Sequence, residues 1–313
     1  MEESKLWNRR QFIKTSALTA GFVFVSRIPL VAGMLDDTKK ITILHTNDFH
    51  SHLDPYPLDG SRNQGLGGIA ARSELIKKIR SVTKNVLLLD AGDMFQGTPY
   101  FNYFKGEVEI KVMSEIGYNA VTLGNHEFDA GIESLANVLQ FAKFPIINAN
   151  YDFSDTPMAG KTVPNKIFDI DGIRVGVYGL GIEFNGLVPD KLIGNSKYLD
   201  ALTVALAQEK HLKNEESCDM IICLSHLGLE YSDNKISDVV LAKNTKFTDL
   251  IIGGHTHNFM KEPMAIINLN KKLCNVFQVG CNGLKLGKID FYFSGSKSIL
   301  QSKGLSMNTI KNI

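Results

Sequence analysis

Five short turns hold most of the side chains in this sequence that are equipped for chemistry. They are His45-Thr46-Asn47-Asp48-Phe49-His50, Asp90-Ala91-Gly92-Asp93, Gly124-Asn125-His126-Glu127, Ser225-His226 and Gly254-His255-Thr256-His257. Singly, several are weak signals. Asp-x-His is an ordinary solvated loop pair, Gly-Asp an ordinary turn, and a lone histidine after an apolar run is more often a hydrogen-bonded core residue. Gly124-Asn125-His126-Glu127 and Gly254-His255-Thr256-His257 are more specific, and all five in order form a strong joint signal. Counted as ligands, the set is Asp48, His50, Asp93, Asn125, His226, His255 and His257: three carboxylates or amides, four imidazoles and no thiolate. One divalent ion takes about four protein ligands, so seven suggest two ions sharing a bridging carboxylate. Asp93 is the natural bridge, because each of its oxygens can face one ion. Nitrogen and oxygen donors suit Zn, Mn, Fe, Co or Ni and disfavour Cu(I) or an iron–sulfur cluster. Two such ions about 3.5–4 Å apart would clamp a phosphate, acidify a bound water and neutralise charge on a leaving oxygen.

Bringing these turns together needs a scaffold, because they span about 210 residues of chain. Each follows an apolar run that reads as a buried strand: Ile41–Leu44, Val86–Leu89, Ala120–Leu123, Met220–Leu224 and Leu250–Ile252. Pro145–Ile147 and Arg174–Tyr178 read the same way. Between them, Ile69–Arg80, Val108–Ile116, Ile132–Phe141 and Ala201–Leu212 carry helical spacing. Strand–helix alternation predicts an α/β fold with a parallel or mixed sheet. Such folds bind ligands beyond the carboxyl ends of their strands, where all five turns lie. Val276–Val279 and Ile289–Phe293 follow as consecutive strands, and the polar residues 296–313 predict a loose tail. With no repeat, low-complexity block or long linker, one domain fits better than two.

Composition excludes other classes. The 313 residues are 44% hydrophobic and 21% charged, too apolar for a disordered chain. A net charge of +1 gives no basic signal for a nucleic-acid polymer. That total hides an asymmetry: Lys5, Arg9, Arg10, Lys14 and Arg27 face only Glu2 and Glu3 in the first 33 residues, leaving 29 basic and 31 acidic residues beyond them. The apolar stretch Ala17–Val25 is too short for a confident membrane span. With the small residues Val31-Ala32-Gly33 it describes an export signal over 1–33, Gly33/Met34 being a candidate cleavage point. Asn8-Arg9-Arg10-Gln11-Phe12-Ile13-Lys14 resembles a twin-arginine signal; the plain alternative is an uncleaved, frayed helix. An exported protein, periplasmic or otherwise extracytoplasmic and without a span after signal removal, is the expectation. The four cysteines lack the Cys-x-x-Cys spacing of a zinc or redox site, and Cys223 reads as a buried thiol. Gly65-x-Gly67-x-x-Ala70 follows a polar loop rather than a strand, so it does not read as a dinucleotide site.

Taken in order, the five motifs resemble the signature of calcineurin-like metallophosphoesterases. More narrowly, Ile43 to His50, Gly92-Asp93-Met94-Phe95-Gln96-Gly97-Thr98 and Gly124-Asn125-His126-Glu127-Phe128-Asp129 are similar to the exported 5′-nucleotidase branch. The resemblance covers about Ile41 to Phe293. It implies a four-layer α/β/β/α sandwich, with residues 34–295 as the metallophosphoesterase domain. It implies one ion held by Asp48, His50, Asp93 and His257, and a second by Asp93, Asn125, His226 and His255. It further implies hydrolysis of a small phosphorylated substrate of nucleotide type through a metal-bound hydroxide. A phosphodiesterase and a sulfur-ester hydrolase of the same fold are the alternatives.

His126 is left free when its neighbour Asn125 takes the metal. Asp129 could hold its imidazole and favour the charged form; the plain alternative for Asp129 is a helix cap before Ile132. The family implies that this pair stabilises the transferring phosphoryl group. Glu127 and His52 are expected to support the site or lie at the surface, and His45 and His211 to be structural and solvated. Full-length members of the branch carry a second domain that clamps the base. This sequence ends about 20 residues after its last predicted strand, so a separate specificity subunit is a further expectation.

Overall fold

A computed structural model describes residues 38–233 and 235–310. The export signal expected over 1–33 lies outside the described residues. In chain order the strands are β1 (Lys39–Thr46), β2 (Val86–Asp90), β3 (Ala120–Val121), β4 (Tyr151–Asp152), β5 (Asn165–Ile170), β6 (Ile173–Leu180), β7 (Lys197–Tyr198), β8 (Met220–Ser225), β9 (Leu250–Gly253), β10 (Met264–Ile267), β11 (Leu273–Phe277), β12 (Lys285–Phe293) and β13 (Ile299–Asn308). The helices are α1 (Ile69–Val82), α2 (Pro99–Phe104), α3 (Glu107–Ile116), α4 (Ile132–Val138), α5 (Asp190–Ile193), α6 (Ala201–Lys210) and α7 (Asp238–Asn244).

Two sheets form the centre. One has the order β13-β12-β1-β2-β3 and the other β10-β11-β9-β8-β6-β5. Strands β1, β2 and β3 run parallel, as do β6, β8, β9 and β11, while β12, β13, β10 and β5 return antiparallel at the flanks. The inner strands read as unbroken apolar runs because both of their faces are buried. Ile41, Ile43, Leu87 and Leu89 meet Met220, Ile222, Leu224, Leu250 and Ile252 in a core between the sheets. Leu44 and Leu88, one residue out of phase, pack instead with Ile76 and Ile79 of α1, Met113 of α3 and Leu135 of α4. On the far side, Ile221, Cys223 and Ile251 pack with Ala205 of α6 and Leu241 of α7. The side-chain period of two thus feeds three cores between four layers, the α/β/β/α order expected.

Three differences from the sequence expectation share a cause. Residues 296–313 were expected to be loose, yet Ile299–Asn308 is a ten-residue strand paired with β12 from Lys285↔Asn308 to Phe293↔Ile299. Strands β5 and β10 also had no signal in the apolar pattern. All three lie at sheet edges, where the outer side faces water and no continuous apolar run is required. Conversely, Pro145–Ile147 makes only isolated bridges, Ile146 with Val121 and Ile147 with Val163. Proline brings no N–H to a ladder, and two bridging residues fall short of a strand. No helix among the described residues is long and apolar enough to cross a membrane.

Candidate metal centre

Each candidate ligand leaves the carboxyl end of a strand. Asp48 and His50 follow β1, Asp93 follows β2, Asn125 follows β3, His226 adjoins β8, and His255 and His257 follow β9. The sheets therefore deliver both sets of turns to one end of the sandwich. The turns are sharp: Asp48, His50, Asp93, His255 and His257 all adopt left-handed backbone, with φ between 49° and 72°. Such conformations cost energy for non-glycine residues and persist where surrounding structure enforces them, commonly at functional sites. Close packing does the enforcing here. A Cβ on Gly124 would lie 2.2 Å from Asp93 Oδ1 and 2.6 Å from His226 Nε2. One on Gly254 would meet His226 Nδ1 at 2.8 Å and Asp48 Oδ2 at 2.9 Å.

The donors converge in two groups that share Asp93. In the first, the ligand atoms of Asp48, His50, Asp93 and His257 lie within 4.8 Å of one another, and in the second those of Asp93, His226 and His255 do so. Asn125 joins the second group, its Oδ1 lying 3.0 Å from His255 Nδ1. His50 Nε2 faces His257 Nε2 at 3.0 Å, and His257 Nε2 lies 3.3 Å from Asp48 Oδ1. The other ring nitrogens are taken by the backbone: His226 Nδ1 reaches the Ala91 carbonyl at 2.7 Å and His50 Nδ1 the Phe95 carbonyl at 3.2 Å. That arrangement fixes the tautomer and presents Nε2 to the centre.

These residues fit divalent ions. His226 is fully buried and its Nε2 has no hydrogen-bond partner, although it lies 3.0 Å from Asp93 Oδ2. Burial penalises its imidazolium, yet Asp93 and Asp48 beside it lift the His226 pKa to about 10. The hydrogen bond to Asp48 likewise takes His257 to about 10. The carboxylates thus call for positive charge between the donors, which a proton supplies weakly and divalent ions would supply fully. An all nitrogen and oxygen donor set in two groups with one shared carboxylate suits a dinuclear divalent site.

A model of the calcineurin-like phosphoesterase family matches residues 41–259, a span that contains every one of these candidate ligands. The chain belongs to the calcineurin-like phosphoesterase family. It is 33% identical over 304 residues to the trifunctional nucleotide phosphoesterase protein YfkN of Bacillus subtilis, covering 86% of this chain and 19% of that protein. Identity to the 5′-nucleotidase of Homo sapiens is 30% over 286 residues, or 85% of this chain and 48% of that protein. A solved 5′-nucleotidase precursor from Thermus thermophilus matches with a TM-score of 0.77 and 32% identity, over 86% of this chain and 54% of the other. The chain therefore spans about half the length of these relatives, or less. They uphold the likeness to the 5′-nucleotidase branch read from the motifs.

In this phosphoesterase domain His126 and Asp129 stand beside the donors. His126 Nδ1 lies 2.8 Å from Asp129 Oδ2, its backbone N–H donates to Asp93 Oδ1 at 2.9 Å, and its ring centre is 5.3 Å from that of His50. The hydrogen bond to Asp129 raises the His126 pKa, with burial opposing. Glu127 was read as either supporting the site or lying at the surface, and it supports the site. Its carboxylate is buried and accepts the backbone N–H groups of Asp93, Met94, Phe95 and Gly124 at 2.9, 2.7, 3.2 and 2.6 Å. It therefore ties the turn after β2 to the turn after β3. Its place within Gly124-Asn125-His126-Glu127 was the available signal. Asn47 does similar work, donating to Asp48 Oδ2 at 2.6 Å and to the Gly280 carbonyl at 2.7 Å. His45 is structural, as expected, and not solvated: it is fully buried, and burial pushes its pKa down to about 3. It faces Gly287 across the ladder, where any Cβ would lie 2.0 Å from its Nε2. His211 is half-exposed beside Glu215. The four cysteines are free, with Cys223 buried.

Proposed function

We infer that the chain is the catalytic domain of an exported, di-metal phosphoesterase that hydrolyses phosphate monoesters of nucleotide type. The observation that carries this is the pair of donor groups meeting at Asp93, with His126 beside them and free of ligand duty. Asp48, His50, Asp93 and His257 would hold one ion, and Asp93, Asn125, His226 and His255 the other. When bound, the ions supply positive charge to the phosphoryl oxygens and lower the pKa of the attacking water. The chain's own residues orient the rest. His126, held by Asp129, places a cationic imidazole beside the donors, where it stabilises charge on the transferring group and can hand a proton to the leaving oxygen. Glu127 fixes the backbone of Asp93 and Gly124, keeping the shared carboxylate in register with both groups. The printed names of the relatives, a nucleotide phosphoesterase and 5′-nucleotidases, support the substrate class. The twin-arginine-like segment supports export.

The test is direct. The mature protein, loaded with Mn²⁺, Zn²⁺ or Co²⁺, is assayed on an aryl phosphate, AMP and a cyclic nucleotide, alongside Asp93→Asn and His126→Ala. Bound metal with turnover of the monoesters, lost in Asp93→Asn, is expected. Absence of both bound metal and turnover would sink the proposal.

A further inference from the structure

The two turns that carry Asp48, His50 and Asp93 continue past the donors into the walls of one pocket of about 500 Å³. Ser51 and His52 come from the first turn, and Thr98 with α2 from the second. The turns are stitched together there. Thr98 Oγ1 donates to the Ser51 carbonyl at 2.9 Å, and Gly97 sits so close that a Cβ would lie 2.7 Å from the His50 carbonyl. The inner wall is thus one or two residues from a metal donor, on the order of 4–7 Å along the chain.

The pocket's surfaces are mostly rings. His52 and Tyr56 stack with centroids 5.4 Å apart and planes 6° from parallel. Tyr100, Tyr103 and Phe104 complete it, with Tyr103 81% and Phe104 49% exposed. The polar tips of two are already occupied: Asn282 Nδ2 donates to Tyr56 Oη at 2.7 Å, and Tyr100 Oη donates to Asp54 Oδ2 at 3.0 Å. What remains is aromatic face, together with one carboxylate, Asp54, that repels a phosphate.

We propose that this pocket is a subsite for the planar aromatic part of the leaving group, an aryl ring or a nucleobase, of an ester whose phosphate sits at the metal donors. The proposal rests on the phosphoesterase reading and names the leaving group it prefers. Concave apolar surface beside a polar centre is the usual setting of a ligand site. Parallel rings accept any π-face, so the selection is for planarity rather than for one base. Asp54 sets polarity by turning the anionic end of the ester away.

The experiment uses the full chain with metal and the double variant Tyr103→Ala/Phe104→Ala. Both side chains are too exposed for truncation to remove core packing. KM is measured for 4-nitrophenyl phosphate, AMP and ribose 5-phosphate, the last being the ring-free control. A rise of roughly tenfold or more for the ring-bearing esters, with ribose 5-phosphate unchanged, is expected. A rise for AMP alone assigns the pocket to nucleobases, and a rise for 4-nitrophenyl phosphate alone to aryl groups. No change, or an equal rise for all three, overturns the proposal. Calorimetric binding of adenosine against ribose, without turnover, separates this from the hydrolase reading. Adenosine binding that the variant loses supports the subsite even if no ester is hydrolysed. Absence of adenosine binding together with an unchanged KM for 4-nitrophenyl phosphate, as when the face instead docks a further protein domain, overturns it.

Discussion

The two donor groups meet at Asp93 but are built differently. The group around His226 is sealed at that residue, whose imidazole has no exposed surface, whose Nδ1 is fixed by the Ala91 carbonyl and against which Gly124 and Gly254 are pressed, while His255 at its edge is only partly buried. The group around His257 is open, with 41% of that side chain exposed. Next to this open group stand His126 and Asp129, whose side chains are 34% and 29% exposed, and the turn from His50 into the aromatic pocket. The first is walled in by protein at His226, and the second meets solvent at His257. Damage to the sealed half should therefore appear in metal retention and folding, while damage to the open half should appear in rate and pH dependence.

The largest effect is expected where the halves join. Asp93→Asn leaves an amide that cannot supply two anionic oxygens, so both ions should be lost together and activity should fall on the order of 10³-fold or more. Metal content by elemental analysis checks it; retention of two ions with full turnover would show that Asp93 is no bridge. Gly124→Ala comes next and tests the sealed half without removing a donor. Its methyl must displace Asp93 Oδ1 or His226 Nε2, so weaker metal retention and a lower Tm are expected at every pH. Unaltered metal content would mean that this side is looser than its packing indicates.

The candidate donors of both halves, and the strands that carry them, were legible in sequence. Every ligand follows a strand buried on both faces, so each apolar run announces the turn that ends it. Edge strands such as β13 need no such run and gave no signal. Residues whose roles depend on a distant partner were equally silent. Whether His45 is solvated or buried is decided by Gly287 across the ladder, since only glycine leaves room for the ring. Glu127 reads as any loop carboxylate until four backbone N–H groups are seen around it. The aromatic pocket joins residues near position 52 to a six-residue helix too short to show periodicity.

On the open half, His126→Ala should leave metal content intact and lower kcat by about 10²–10³-fold, the range for removing a group that stabilises transition-state charge. Loss of an ion in this variant would place His126 among the ligands and erase the distinction between the halves.

The smallest expected effect is also the most specific. Asp129 is the chief cause of the raised His126 pKa, with burial acting against it. A raised histidine pKa keeps the imidazolium populated at higher pH, and the cation is lost as pH climbs through that value. If the cation is the active form, activity falls on the alkaline side as His126 deprotonates. Asp129→Asn removes the carboxylate and leaves burial to pull the other way, so the alkaline limb should move to lower pH. Well below that limb His126 is charged in both proteins, and kcat should differ by no more than about tenfold, the cost of a less well-oriented ring. A kcat profile across pH 5 to 10 in steps of about half a unit reads the shift. An alkaline limb that stays in place while activity drops uniformly would make Asp129 a cap for the helix at Ile132 and leave the charge of His126 to the metal donors around it.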